Sequence, residues 1–190
     1  MNRRQAERMR ETVPAEPPST LSSGPGFHVE IDVQLVTDET AVLAGADFEA
    51  WVCAALRVAD WRQDGELAVR LVGTVEGAEL NQTWRDKPGP TNVLAFPPPD
   101  LARAGLPAGM PAEFGDLVIC LPVVIREAAE QHKAPLAHLA HLVIHGTLHL
   151  LGYTHDVEAD TVRMEGLEVA ALASLGFSDP YVTNADAGTK

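Results

Sequence analysis

The chain has 190 residues, 46% of them hydrophobic, which is enough to bury one core but not to build two domains. A formal net charge of -13 argues against broad adhesion to nucleic acid, which calls for a basic face, and leaves room only for a local basic site. No stretch approaches the roughly 18 apolar residues of a membrane span, and Cys53 and Cys120 sit singly in apolar runs (WVCAAL, LVICLP) as small buried hydrophobes, which points to a reducing, cytoplasmic setting away from any membrane.

Residues 1–26 mix four Arg and three Glu with Pro, Ser and Gly, a composition too poor in apolar surface to order itself, so a disordered tail is expected there. From Phe27 to Val36 the pattern alternates, with Phe27, Val29, Ile31, Val33 and Leu35 on one side, as in a half-buried strand. Asp47 is placed to cap a helix whose Phe48, Trp51, Val52, Ala55 and Leu56 recur at helical spacing. Leu67 to Val72 follows as a strand and Val75 to Arg85 as a helix. Asn92 to Phe96 is a short strand stopped by Pro97, Pro98 and Pro99, and Asp100 to Phe114 is predicted as loop. Asp116 to Leu121 is a strong apolar strand, and Asp116 itself is expected to be a turn residue.

Beyond Pro122 the character is helical, first to about His132 and then from Leu136 to Leu151, with Pro135 suited to the first turn and Gly152 ending the helix. A last helix from about Glu158 to Leu175 is predicted to turn Val162, Leu167, Ala171 and Leu172 inward and to stop at Gly176. Residues 181–190 form a second expected tail. Residues 27–180 are thus predicted to be a single α+β domain, a small mixed β-sheet with helices packed on it.

Six of the seven histidines fall between residues 132 and 155. A lone helical histidine is usually a core or surface residue, but the spacing in HGTLHLLGYTH goes further. His145 and His149 are four apart and share a helix face, so both imidazoles can reach one ion at about 2.0 to 2.1 Å. Gly152 can adopt the left-handed conformation that turns the chain back and brings His155 to the same point. Three protein ligands with an open position describe a catalytic zinc site rather than a closed structural one, and such a site lowers the pKa of bound water to about 7 and supplies hydroxide. His141 is also four residues from His145, so a register using that pair stays open; His138 and His141 are otherwise given supporting or surface roles.

The spacing H-x3-H-x2-G-x2-H is also that of the metzincin peptidases, which carry Glu directly after the first histidine as general base. Here that position is Gly146. A carboxylate placed there would restore the peptidase pattern, and its absence makes peptide hydrolysis a secondary hypothesis. Glu165 and Glu168 on the last helix are assigned to its wet face, and the general base is left unassigned.

Taken together, HGTLHLLGYTH, LNQTWRDKPGPTNVLAFP upstream and GDLVIC between them resemble the YbeY family of bacterial endoribonucleases over roughly Val29 to Phe177. The resemblance implies a zinc-dependent enzyme, cleaving single-stranded ribosomal RNA in its maturation, notably at the 16S 3' end, and acting in ribosome quality control. His145, His149 and His155 match the family's three zinc-binding histidines, and Arg85, in the LNxxWR stretch, matches its functional arginine at the RNA backbone. Two departures stand out: Thr154 replaces an Asp that usually precedes the third histidine, and Ala95 replaces the Ser of LSFP. Neither is a metal ligand, although Thr154 cannot supply a charge.

From its own surroundings Arg85 has two readings, a surface arginine paired with Asp86, or a fixed guanidinium that binds two phosphate oxygens at once. Lys87 is expected to be an exposed loop lysine. The partners implied are ribosomal RNA and ribosomal particles or proteins, with no nucleotide cofactor. From another class comes a ribosome-assembly factor whose metal is mainly structural.

Overall fold

The computed structural model describes residues 26–98 and 111–182. The N-terminal tail expected at 1–26 lies, up to residue 25, outside the described residues, as do Pro99, residues 100–110 of the expected loop and 183–190 of the expected C-terminal tail. Four strands form one mixed sheet: β1 (Val29–Leu35), β2 (Gly65–Val72), β3 (Val93–Phe96) and β4 (Ala112–Cys120). They lie in the order β1-β2-β4-β3, with β1, β2 and β4 parallel and β3 antiparallel at one edge. Among the described residues, five α-helices accompany the sheet in an α+β fold: α1 (Phe48–Val58), α2 (Thr74–Arg85), α3 (Leu121–Glu130), α4 (Pro135–Leu150) and α5 (Glu158–Ser174).

Helix starts and stops follow local chemistry. The Asp47 carboxylate accepts the Ala50 N–H at 2.9 Å and caps α1, and Pro135 opens α4, where its missing N–H costs nothing. The main core lies between one sheet face and helices α1, α4 and α5. Helix α4 runs through its middle, with Leu139, Ala140, Val143, Ile144 and Leu148 fully buried, and each large aliphatic there contributes about 1.5 to 3 kcal/mol. A smaller cluster of Val72, Leu94, Val118, Cys120 and Val123 covers the other face, with Leu80 of α2 packed on it. Both cysteines are buried, and burial pushes both thiols up, as befits inert packing groups. Among the described residues no helix is long and apolar enough to cross a membrane.

Several expectations are corrected. Val33 and Leu35, on the apolar side of β1, are 43% and 49% exposed, because β1 is an edge strand and its last residues lie beyond helical cover. β4 begins at Ala112, so residues 112–114 are strand rather than loop and Asp116 sits within a ladder opposite Ala68 and Phe96 rather than in a turn. The pattern is obscured there by a bulge: the pairing skips Phe114 between Glu66 and Leu67, and Gly115 takes φ 105°, which glycine accommodates without strain. Leu121 opens α3 rather than ending β4, and α3 stops at Glu130, short of His132, whose φ is 54°. On α5, Val162 is 65% exposed; Met164 and Glu168 take the inward positions, with Ala171 and Leu172 as expected.

Candidate metal centre

Helix α4 carries His138, His141, His145 and His149 along one stripe. It ends at Leu150, and Gly152 follows at φ 93°, a backbone conformation costly for a residue with a Cβ. The Gly152 N–H bonds the His149 carbonyl at 2.9 Å and the Tyr153 N–H bonds the Leu148 carbonyl at 3.0 Å, so the chain doubles back over the helix end. That reversal does two things. It returns the Tyr153 carbonyl to His149 Nδ1 at 2.9 Å, and it carries His155 over the same helix end, with its ring 5.0 Å from that of His149 and 5.7 Å from that of His145 between centroids.

One ring nitrogen from each of His145, His149 and His155 falls within 4.8 Å of the others. The donor set fits a metal for a reason visible in the hydrogen bonds. A carbonyl only accepts, so His149 Nδ1 holds the proton that Tyr153 receives. His145 Nδ1 likewise donates to the Glu168 carboxylate at 2.7 Å. Both Nε2 atoms are left with lone pairs, and they face each other at 3.0 Å. Two lone pairs at that distance repel; a cation between them satisfies both, and two nitrogens bound to one tetrahedral ion at about 2.0 to 2.1 Å stand roughly 3.3 Å apart. Burial, with the neighbouring His145 next, holds His149 down at about 4, so at neutral pH it is the neutral imidazole that a metal requires.

The three histidines line a cavity of about 580 Å³ together with Arg85, Lys87, Asn92, Val93, Ala95, Pro97 and Gly146. Arg85 stands in the last turn of α2, and Asp86 follows it at φ 53°. The Asp86 carboxylate takes its hydrogen bond from Gln82 at 2.9 Å, and among the described residues Arg85 makes no ion pair. Lys87 is an exposed loop residue, as expected, and it also borders the same cavity. Asn92 is held in its wall by Glu127, which accepts its amide at 3.0 Å and also meets buried His138 at 2.9 Å.

Gly146 has a packing role. A Cβ there would meet Leu117 Cδ2 at 2.7 Å and Val93 Cγ2 at 3.3 Å, so the missing side chain lets α4 lie against β3 and β4. A carboxylate at 146 would therefore run into the sheet, and the expectation that it would rebuild a peptidase base is corrected. The larger correction concerns Glu168. It is 1% exposed, accepting His145 Nδ1 and His141 Nε2, each at 2.7 Å, and the Tyr181 hydroxyl. Burial pushes this carboxyl up, and the hydrogen bonds from His141, His145 and Tyr181 outweigh it and hold it down at about 2. His141, His145 and Glu168 form a second cluster whose ligand atoms lie within 4.8 Å. The signal that could have found Glu168 is its place in the stripe Met164, Glu168, Ala171 and Leu172, a charged residue where the inward face requires apolar ones. Thr154 is exposed beside His155, and Ala95 lines the cavity without a polar group.

The family model for Endoribonuclease YbeY matches residues 28–176. The Endoribonuclease YbeY of Stutzerimonas stutzeri (strain A1501) is 50% identical over 159 residues, spanning 80% of this chain and 91% of that protein. That of Alkalilimnicola ehrlichii (strain ATCC BAA-1101 / DSM 17681 / MLHE-1) is 49% identical over 154 residues, spanning 80% and 91%. The solution structure of TM1509 from Thermotoga maritima aligns at a TM-score of 0.48 and 23% identity, covering 80% of this chain and 99% of that one. With a family match across most of its length and relatives at half identity, this chain belongs to the YbeY family of endoribonucleases.

Proposed function

We propose that this protein hydrolyses phosphodiester bonds in single-stranded regions of ribosomal RNA, in the cytoplasm, with one zinc ion held by His145, His149 and His155. The observation that carries the reading is that Arg85 and Lys87 border the same cavity as the three imidazoles, which is where a phosphate between a metal and two cations would sit. A bound zinc ion would supply a Lewis acid that activates water and polarises a phosphate oxygen.

The protein's own contributions follow from its side chains. Arg85 presents a planar fork to two phosphate oxygens and neutralises charge that builds on them as the bond breaks, and Lys87 adds a mobile point charge. His145 and His149 are oriented by Glu168 and the Tyr153 carbonyl, so that their Nε2 atoms point into the cavity with lone pairs free. Among the described residues no carboxylate lines the cavity, which favours an anionic substrate and disfavours a peptidase that needs a glutamate base. The surface outside this cavity is acidic in balance, so a ribosomal particle or ribosomal protein would bring the RNA to the site.

Structured ribosomal RNA and a peptide library, incubated side by side with the protein in the presence and absence of a chelator, test this reading. RNA should be cut, chelator should stop it, peptides should survive, and a variant with all three histidines replaced by Ala should be inactive. RNA cleavage that persists in that variant, or chelator-sensitive proteolysis, would overturn it. A histidine variant that loses cleavage in vitro yet still supports ribosome assembly would favour an assembly factor.

A further inference from the structure

The buried carboxylate of Glu168 lies outside the three-histidine set but contacts it. It reaches from α5 across to α4 and uses both oxygens: Oε1 accepts His145 Nδ1, while Oε2 accepts His141 Nε2 and the Tyr181 hydroxyl. A carboxylate that is 1% exposed is costly unless its oxygens are hydrogen-bonded, and these three donors satisfy both. Two of the donors come from outside the zinc ligands. His141 stands one turn before His145, and Tyr181 follows α5 at residue 181, just past the boundary drawn at 180 from sequence.

We propose that Glu168 is the positioning residue for the metal ligand His145, and that His141 and Tyr181 hold it in place, so that the segment after α5 contributes to metal retention. This rests on the reading of His145, His149 and His155 as zinc ligands. The chemistry is specific. With the carboxylate on Nδ1, His145 must carry its proton there and present Nε2 to the cavity as a lone pair; no other tautomer of a neutral ring satisfies both. His141, Tyr181 and His145 compete for two oxygens in fixed positions, which locks the carboxylate plane and with it the His145 ring. A second ion between His141, His145 and Glu168 would need the Nδ1 proton removed and His145 shared between two metals; the three hydrogen bonds make Glu168 an acceptor instead, so one ion per chain is expected rather than two.

Zinc affinity measured by competition with a chromophoric chelator, alongside melting of the metal-free protein, tests the proposal without reference to catalysis. Glu168→Gln offers one acceptor and one donor where two acceptors are needed, and should weaken zinc binding about 10- to 100-fold. Tyr181→Phe removes one hydrogen bond from the carboxylate and should weaken it about fivefold, while the metal-free protein stays folded with a melting temperature lowered by about a few degrees at most. Cobalt substituted for zinc should show an altered visible spectrum in both variants, and Glu165→Gln, on the same helix but outside the network, should match wild type. Wild-type zinc affinity and cobalt spectrum in Tyr181→Phe and in folded Glu168→Gln would overturn the proposal. Should Glu168→Gln fail to fold, Tyr181→Phe decides alone. A wild-type protein that binds no zinc removes the three-histidine reading as well, whereas a zinc-binding wild type with indifferent variants removes only the role of Glu168.

Discussion

Arg85 and His149 show what individual residues contribute. Arg85 is exposed at the end of α2, outside the core and without an ion pair among the described residues, so its replacement should leave fold and zinc content intact. Arg85→Glu removes a bidentate donor and adds repulsion toward phosphate, and RNA cleavage should fall by two orders of magnitude or more, on the order of one charge-stabilising donor lost from a transition state. Arg85→Lys keeps the charge but not the fork and should be intermediate. Near-wild-type cleavage by a zinc-replete Arg85→Glu protein would take the residue out of the site. His149 makes a prediction about pH. Its value in the folded, metal-free protein is about 4 against 6.5 when unfolded, so between those values the unfolded chain binds more protons and stability rises with pH. The urea midpoint of metal-free protein should therefore fall as pH drops from 6.5 to 4. Glu168, held at about 2 against 4.5, adds its own loss only below 4.5, and a flat profile above that value would deny His149 its neutral, half-buried state.

Whether sequence discloses an element depends on how many of its neighbours are local. The histidine-bearing turn was legible because its parts are covalently close: the i,i+4 histidines fix one face, and Gly152 at φ 93° fixes the reversal. The phase of α5 was not. Apolar residues occur nearly all round that helix, so Val162 looked as eligible for the core as Met164, and only packing against α1 and α4 selects the stripe that contains Glu168. β1 was recognised as a strand, but that its end is uncovered depends on its edge position, which alternation does not encode. The sheet also pairs like charges: Glu30 and Glu113 flank Glu66 in register on the neighbouring strands, all exposed. Glu66→Lys converts two repulsions into attractions and should stabilise the protein by about 0.5 kcal/mol in denaturant unfolding, an effect that shrinks in high salt. An unchanged variant would show that solvent already screens the row, and a destabilised one would contradict the repulsion.

For the molecule as a whole, charge is segregated. The acid row Glu30, Asp32, Glu66, Glu113 and Asp116 lies along one sheet face, while Arg85 and Lys87 face the histidine cavity, so a net charge of -13 coexists with a local basic site. The α+β architecture was legible because periodicity switches from two to 3.6 along the chain, whereas the sheet order, with β4 inserted between β2 and β3, arises from pairings that no local pattern encodes. Everything proposed for function converges on three imidazoles gathered at one helix end. Metal analysis of protein purified without chelator tests that most directly: the account predicts about one zinc per chain in wild type and almost none in His149→Ala. A wild type free of transition metal, or a His149→Ala protein with the full complement, would contradict it.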